Sequence, residues 1–238
     1  AGVMLVSGLL TQKQALMGID FNTLALLIGM MIIVSISERS GIFQYVAIWG
    51  AKKVKASPRG LLMVLAVVTA VFSGFLDNVT TVLLIVPVTF QITKKLDINP
   101  YPYLLLEIFS SNIGGTATLI GDPPNILIGS ALELSFMDFV KVLTPIVAAT
   151  MVVLICIFDF CWKKKLVTDE AKKALVMQMN EKESITDKPL LIKSLVVLAM
   201  VIVSFIFAKE IFLDNGTIAL TGAALLLLLY TFEMKGHE

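Results

Sequence analysis

Residues 75–84 read Phe-Leu-Asp-Asn-Val-Thr-Thr-Val-Leu-Leu, a short polar stretch with one acidic residue between two apolar runs. From Gly60 to Thr93, Asp77 is the only formally charged residue. Basic residues flank this span at both ends, namely Lys52, Lys53, Lys55 and Arg59 before it and Lys94 and Lys95 after it. Because Lys and Arg accumulate on the cytoplasmic side of membrane proteins, we expect both ends on the same face.

The matched basic flanks indicate that this part of the chain enters the membrane and turns back. We predict a re-entrant helical hairpin over residues 60–93, with Asp77 and Asn78 at its tip near the middle of the bilayer. An ionisable group at that depth costs free energy and is a candidate functional residue. The alternative is an ordinary pair of crossing helices joined by a short Asp-Asn turn, since such a pair would also keep its basic flanks on one face.

The composition indicates an integral membrane protein before any motif is considered. The hydrophobic fraction is 57% and the mean hydropathy is +0.90, more than a soluble core needs. The net charge of +1 argues nothing about nucleic acid or an acidic partner, because the basic residues cluster where topology would place them. The expected partner is the lipid bilayer, and no nucleic acid is expected. The single histidine, His237, excludes a histidine-based metal site. Cys156 and Cys161 fit neither a Cys-x-x-Cys metal spacing nor an evident disulfide, so we interpret them as packing residues.

The other segments follow from their apolar runs and basic clusters. Residues 1–59 are predicted to hold a crossing helix with a truncated start and then an interfacial helix, as part of a scaffold. Residues 60–134 form the predicted transport part, followed by a crossing helix over 135–162, a cytoplasmic loop over 163–189 and two linker crossings over 190–238. Loops 51–60, 94–100 and 163–189 are placed on the cytoplasmic side of a plasma or inner cell membrane, which the chain crosses several times.

A second anomaly is the segment 101–134, which is long for one tilted crossing and whose middle cannot form a regular helix. From Ser110 it reads Ser-Ser-Asn-Ile-Gly-Gly-Thr-Ala-Thr-Leu-Ile-Gly-Asp-Pro-Pro-Asn. Glycine is favoured where a helix ends, and proline is favoured in the first turn of the next helix. We therefore predict a helix, an unwound polar segment and a second helix. Irregular backbone is tolerated in hydrocarbon only where protein or a water-filled cavity supplies hydrogen-bond partners, which predicts a binding site there.

The two broken ends are complementary in charge. A helix C-terminus at residues 112–115 presents carbonyl groups suited to a cation, and a helix N-terminus at residues 123–125 presents N–H groups suited to an anion. Discontinuous helices of this kind recur in secondary transporters. Asp122 adds a charge, and neutral oxygen ligands are available from Ser110, Ser111, Asn112, Thr116, Thr118 and Asn125. For each hydroxyl the alternative is a hydrogen bond back to its own helix.

The motifs at residues 75–84 and 111–129 closely resemble the ArsB/NhaD branch of the ion transporter superfamily. That branch includes arsenite permeases, NhaD-type Na⁺/H⁺ antiporters and the pigmentation P proteins, with citrate and dicarboxylate transporters as more distant relatives. The resemblance extends over roughly residues 22–162. It implies an all-α polytopic membrane protein with an elevator fold, usually dimeric, built from two inverted repeats that each carry a re-entrant hairpin and a broken helix.

The resemblance implies a transport site between hairpin tip and broken helix. In the dicarboxylate relatives the tip carries Ser where this chain has Asp77, a change that favours cation or proton coupling and argues against carboxylate transport. The residues predicted to bind the ion or substrate are Asp77, Asn78, Thr80, Thr81, Ser111, Asn112, Gly114, Gly115, Thr116, Thr118, Asp122 and Asn125. The predicted helix break is formed by Gly121, Pro123 and Pro124. We expect no cofactor and no metal beyond transient Na⁺, with H⁺ or Na⁺ as the coupling ion.

The chain departs from the family pattern in one respect, because no second Asp-Asn-x-Thr-Thr stretch and no second Gly-rich break follow the first. We expect the second repeat in the remainder of a chain about twice as long; a second chain that supplies it is the alternative. The predicted function is half of an ArsB-like permease for arsenite or antimonite. The alternatives are an NhaD-type Na⁺/H⁺ antiporter and a Na⁺-coupled citrate or dicarboxylate transporter.

Two further classes compete with a secondary transporter. An intramembrane aspartyl protease could use Asp77 and Asp122 as a pair that shares a proton, but the Gly-x-Gly-Asp and Tyr-Asp contexts of such proteases are absent. A passive channel would share the same polar lining. We therefore predict a protein that is not an enzyme, and uphill accumulation of a solute would separate a transporter from a channel.

Overall fold

The computed structural model describes the backbone of residues 2–235 and the side chains of residues 2–231. His237 lies outside the described residues. The described part is helical and contains no β-strand. Its α-helices are α1 (Gly2–Val6), α2 (Gln12–Met17), α3 (Phe21–Glu38), α4 (Ile42–Lys53), α5 (Pro58–Ser73), α6 (Asn78–Leu96), α7 (Tyr101–Gly115), α8 (Pro123–Ala131), α9 (Phe136–Trp162), α10 (Glu170–Met177), α11 (Lys188–Ile206) and α12 (Asn215–Lys235), with a 3-10 helix at Glu181–Ser184.

Four of the described helices, α3, α6, α9 and α11, are long and apolar enough to cross a membrane. This confirms the prediction of an all-helical, polytopic membrane protein. The long helix α9 is mostly exposed, and both Cys156 and Cys161 on it are free and exposed, so their interpretation as packing residues is wrong for the described chain. Hydropathy alone does not tell which face of a uniformly apolar helix is packed.

Local signals explain where the central helices begin and end. The Ser57 side chain accepts a hydrogen bond from the N–H of Gly60 at 3.1 Å, and Pro58 occupies the first turn of α5, where its missing N–H is not needed. Helix α6 ends at Asp97, which adopts a left-handed conformation with φ 53° and stops the helix. A short turn, Gly74–Asp77, joins α5 to α6.

Helices α4, α5, α6 and α7 form one group, here called the hairpin bundle, around a shared apolar core. Helices α5 and α7 run side by side in the same direction. At one end the Tyr103 hydroxyl donates to the carbonyl of Pro58 at 2.9 Å, and at the other end the Ser73 hydroxyl donates to the carbonyl of Ser111 at 2.6 Å. The tip of the α5–α6 hairpin therefore lies at the level where α7 ends.

Helices α3, α11 and α12 form a second group, here called the α3 bundle, with its own apolar core. Helix α3 packs closely against α12, where a Cβ added to Gly29 would lie 2.6 Å from the backbone of Ala219. Helix α8 packs on α3, and its Ile126 belongs to this second core. The segment between α7 and α8 consequently passes from the hairpin bundle to the α3 bundle.

The three loops with basic residues meet on one side of the molecule. Lys52 pairs with Glu181 at 2.6 Å, and Lys172 pairs with Asp97 at 2.8 Å. The hydrogen bond from Lys172 lowers the pKa of the Asp97 carboxyl. Ion pairs near the surface contribute little stability, but these two show that residues 163–189 cover the ends of α4 and α6. The cytoplasmic location of this side stays a prediction.

We expect Gly114→Ala to destabilise the hairpin bundle. An added Cβ would lie 2.7 Å from the carbonyl carbon of Ala70, and neither backbone can yield without separating α5 from α7. Overpacking of this kind costs about 1–3 kcal/mol. The measurement is the thermal unfolding midpoint of the purified full-length protein in detergent.

The matched control is Gly18→Ala, where the added Cβ meets its nearest atom at 3.6 Å and the backbone φ is −82°. That variant should unfold at the wild-type temperature. Equal unfolding temperatures for both variants would contradict the close α5–α7 packing.

Candidate functional site

Four helix ends meet at the candidate site. Helices α5 and α7 end there, and α6 and α8 begin there. Helix N-termini carry partial positive charge and C-termini partial negative charge, so both signs are present at one place. The meeting point lies between Gly74–Asn78 at the hairpin tip and the unwound residues 116–122.

Asp77 occupies the N-cap position of α6, and its carboxylate is engaged there. One oxygen accepts the backbone N–H of Thr80 at 2.8 Å, and the other accepts the Thr80 hydroxyl at 2.5 Å. These two predicted ligands therefore bind each other, which fixes the carboxylate at the start of the helix. Thr81, the next predicted ligand, is instead fully buried, and its hydroxyl has no hydrogen-bond partner among the described residues.

An amide pair joins the hairpin tip to α7. The Asn78 side-chain amide donates to the side-chain oxygen of Asn112 at 2.9 Å, and the Asn112 amide donates to the carbonyl of Ile108 at 2.7 Å. Asn112 is exposed and Asn78 is half-buried. The pair therefore links the two polar motifs directly and still faces open space.

The carbonyl groups near the C-terminal end of α7 are largely occupied. The carbonyl of Ser111 accepts from Ser73, and that of Ile113 accepts from the Thr116 hydroxyl at 2.7 Å. The carbonyl of Gly114 accepts the N–H of Ala117 at 3.0 Å. We predicted from the sequence that carbonyls here would suit a cation, but these groups already have partners, as buried backbone groups usually do.

The unwound segment is held by side chains of the same motif. Thr118 donates its hydroxyl to the carbonyl of Gly74 at 2.5 Å and accepts the N–H of Gly121 at 3.1 Å. Asn125 donates its amide to the carbonyls of Thr116, at 3.2 Å, and of Thr118, at 2.8 Å. Thr118 and Asn125 therefore both hydrogen-bond to the backbone, and their predicted role in ion binding stays a prediction.

The remaining predicted hydroxyls and glycines also make contacts within the protein backbone. Ser111 donates its hydroxyl to the carbonyl of Ile108 at 2.9 Å, so both Ser111 and Thr116 make the bond back to their own helix that was the alternative expectation. Gly115 and Gly121 lie back to back, with a Cβ on Gly115 only 2.8 Å from the carbonyl oxygen of Gly121. Pro123 and Pro124 form the first turn of α8.

Asp122 is the predicted residue left with a free side chain. It occupies the N-cap position of α8, but its carboxylate makes no capping hydrogen bond and forms no ion pair within the described residues. It lies close enough to Asp77 for the two charges to repel each other. Two half-buried carboxylates, each at the N-cap of a helix, therefore lie near each other at this junction. Among the described residues no cluster of three or more metal-ligating side chains is found.

The α3 bundle supplies one wall of the site. A cavity of about 280 Å³ lies between the hairpin tip and α3, lined by Asp77 and Thr80 on one side and by Ser35 and Glu38 on the other. The sequence-based prediction did not include Glu38. It stands near the end of α3 among other polar residues, so no local signal distinguished it from a surface residue.

Glu107 was also missed, although a signal was available. It is an ionisable residue within the apolar helix α7, which is the same criterion that drew attention to Asp77. Its side chain is fully buried, and one carboxyl oxygen accepts the Thr89 hydroxyl at 2.5 Å. The glycine and proline breaks further along dominated the interpretation of this segment.

The chain is similar to known membrane proteins over most of its length. The family model described as "Citrate transporter" matches residues 1–236. A "46 kDa membrane protein" of Mycobacterium leprae is 45% identical over 92% of this chain and 51% of its own length. An "Uncharacterized transporter" of Mycobacterium tuberculosis is 46% identical over 88% of this chain and 49% of its own length.

A more distant relative is the "P protein" of Sus scrofa, 30% identical over 96% of this chain and 36% of its own length. The chain thus spans about half the length of the mycobacterial relatives it matches. The resemblance to P proteins that the motifs suggested is borne out by this match.

The role of Asp77 as a helix cap can be tested separately from the effect of its charge. Asp77→Ala removes the acceptor for the Thr80 N–H and should lower the free energy of unfolding by about 1 kcal/mol. Asp77→Asn keeps an acceptor oxygen at the N-cap and should unfold close to the wild-type temperature. Thermal unfolding of the two purified variants measures the difference, and an equal loss in both would contradict a capping role.

Proposed function

The chain belongs to the citrate transporter family, and on this premise we propose that it forms half of an ion-coupled secondary transporter whose coupling cation binds between Asp77 and Asp122. The proposal rests chiefly on one observation, two neighbouring carboxylates at the junction of four helix ends that form no ion pair within the described residues. Oxygen atoms of carboxylates and amides are the ligands that hard cations prefer. The cation is Na⁺ or H⁺.

A cation suits this half-site better than an anion does. Helix N-termini attract anions, but both N-termini here already have an Asp at the cap, and the Asp77 carboxylate accepts the N–H of Thr80. A second anion would meet two negative charges. A cation would relieve the repulsion between them, and the side-chain oxygen of the exposed Asn112 could serve as a further ligand.

The rest of the architecture is proposed by the same reasoning. We propose that α5 and α6 form a re-entrant hairpin, since α8 continues from the level of the hairpin tip toward the start of α3. The open face of Asn78, Asn112 and Asp122 supports a second, inverted repeat that completes the site, in an elevator-type transporter that forms a homodimer in the cell membrane. The relatives' greater length is consistent with a second repeat in the same chain.

The transported solute is proposed to be a small anion that moves with the cation. An arsenite or antimonite species follows from the motif resemblance, and citrate follows from the description of the matching family. That match supports citrate as the solute. The sequence motif argued against a carboxylate, because Asp77 stands where the dicarboxylate relatives have Ser. NhaD-type Na⁺/H⁺ exchange remains the alternative in which no anion is carried.

A protease dyad would also need two neighbouring aspartates, so the geometry alone does not separate it from a cation site. Membership in a family of transporters supports the non-enzymatic interpretation. Both carboxylates here stand at helix N-caps, where the Asp77 carboxylate is fixed by Thr80. Accumulation against a gradient would distinguish the transporter from both protease and channel.

We expect Asp77→Asn and Asp122→Asn each to slow gradient-driven transport by about tenfold or more, since losing ~1.4 kcal/mol of ion binding corresponds to one factor of ten. The measurement uses the full-length protein in liposomes with an imposed Na⁺ or pH gradient. Radiolabelled arsenite, citrate and sodium are offered separately, and the initial rate of uptake is recorded for each.

Asp169→Asn, on the exposed loop between α9 and α10, provides the matched control and should transport at the wild-type rate. Full transport by both site variants would refute the assigned cation site. Uptake that never exceeds the external concentration would indicate a passive channel instead.

A further inference from the structure

Glu107 lies in the interior of the hairpin bundle, away from the candidate site. It stands on α7 seven residues before Gly114, a distance of about 10 Å along the helix. Its side chain has no exposed surface. Apolar side chains of the same core surround this level of the bundle, including Ile85, Val88 and Leu106.

The two carboxyl oxygens of Glu107 differ in their contacts. Oε1 accepts the hydroxyl of Thr89 at 2.5 Å, whereas Oε2 has no hydrogen-bond partner. Within the described residues Glu107 forms no ion pair. A buried carboxylate without a counter-charge costs several kcal/mol, and a proton removes that charge and gives Oε2 a donor.

Charged and titratable groups on the elements packed against α7 form no ion pair with Glu107 within the described residues. On α5 this is Arg59, which pairs with Asp159 of α9. On α6 these are Lys94 and Lys95, both exposed in the last turn. Helix α9 further carries Asp138, Lys141, Cys156 and Cys161. Tyr103, one turn before Glu107 on α7, donates its hydroxyl to the Pro58 carbonyl. None of these groups neutralises Glu107.

Three other hydroxyls on the helices of this bundle are also buried without a hydrogen-bond partner. Ser110 on α7, Thr81 on α6 and Thr69 on α5 are fully buried, and none of their hydroxyl oxygens has a hydrogen-bond partner among the described residues. Ser110 follows Glu107 by one helical turn toward the tip, and the N–H of Thr81 bonds the carbonyl of Asp77 at 3.0 Å. These hydroxyls make no hydrogen bond to Glu107 or to one another, so among the described residues they form no continuous chain for a proton.

The ligand that fits this position is a proton and not a metal ion. Hard cations take about six or more oxygen ligands. Within the described residues Glu107 has one hydrogen-bond partner, the Thr89 hydroxyl, and belongs to no cluster of three or more metal-ligating side chains. A proton needs only one unpartnered oxygen, which Oε2 provides.

We propose that Glu107 is a proton-binding site of the transport cycle, distinct from the cation site at Asp77 and Asp122. The proton binds to Oε2 and gives a neutral carboxylic acid. On release it leaves a carboxylate that the Thr89 hydroxyl still bonds. The inference rests on the proposed function, because it adds a proton-binding site to that same transport cycle.

The decisive variant is Glu107→Gln, whose neutral amide imitates the protonated acid in shape and charge. The full-length protein is reconstituted in liposomes that contain a pH-sensitive dye. Two activities are recorded with the solute that the wild type accumulates: proton movement during gradient-driven uptake, and exchange of labelled for unlabelled solute without a gradient. We expect loss of proton movement in Glu107→Gln with exchange retained, and no change in the matched control Glu210→Gln, an exposed residue.

A second measurement does not depend on the variant's folding. Infrared spectra of the wild type in an ester-free detergent should contain the carbonyl band of a protonated carboxylic acid near neutral pH, where exposed glutamates are ionised. Isotope labelling of glutamate should shift that band, and the band should disappear on alkaline titration.

The outcomes separate the two proposals. If the wild type accumulates no solute under any gradient, the proposed function fails and the role of Glu107 fails with it. If the wild type accumulates solute and Glu107→Gln moves protons at the wild-type rate, the proton site alone is overturned. Absence of a glutamate-derived carbonyl band in the wild type, or a band that does not titrate, would also overturn it.

Discussion

The structure depends on one constraint, the need to satisfy every backbone polar group of an interrupted helix that lies among apolar helices. A regular helix pairs its own N–H and carbonyl groups, but residues 116–122 cannot do so. Asn125 binds two carbonyls of this segment, and Thr118 binds a carbonyl of the hairpin tip. The hairpin and the break therefore stabilise each other, and neither polar motif would be satisfied in hydrocarbon alone.

That constraint also determines which groups remain available for a ligand. Most of the hydroxyls and carbonyls in the two motifs hold the backbone in place, and so does one of the amides. The side chains left to act at the surface of the junction are the Asp122 carboxylate, the Asp77 carboxylate at its cap, and the Asn78–Asn112 pair. This is why the proposed coupling ion is assigned to two carboxylates and not to a ring of carbonyls.

The helix break lies between two apolar cores, so it is the part of the chain that any relative movement of the two helix groups would affect. Helix α7 packs with the hairpin bundle, and α8 packs with α3, so the unwound segment connects the two groups. The ends of α4 and α6 are held by the loop between α9 and α11 through Glu181 and Lys172. A displacement of the hairpin bundle relative to α3, as the proposed elevator mechanism requires, would have to be absorbed at the site itself.

The sequence by itself determined the membrane class, the all-helical architecture and the family, because hydropathy, basic clusters and two motifs are local properties of the chain. It also located Asp77 and Asp122, since a charge in an apolar run is visible without coordinates. Only the tertiary structure decided what each polar residue does. Thr118, Asn125 and Ser111 hydrogen-bond to backbone groups. The burial of Glu107 and the position of Glu38 in a cavity beside the hairpin tip are visible only in the folded chain. The physical reason is that a hydrogen bond depends on a partner 34 or 44 residues away, as in Asn78–Asn112 and Gly74–Thr118, and the packing that brings such partners together is not encoded in either motif alone.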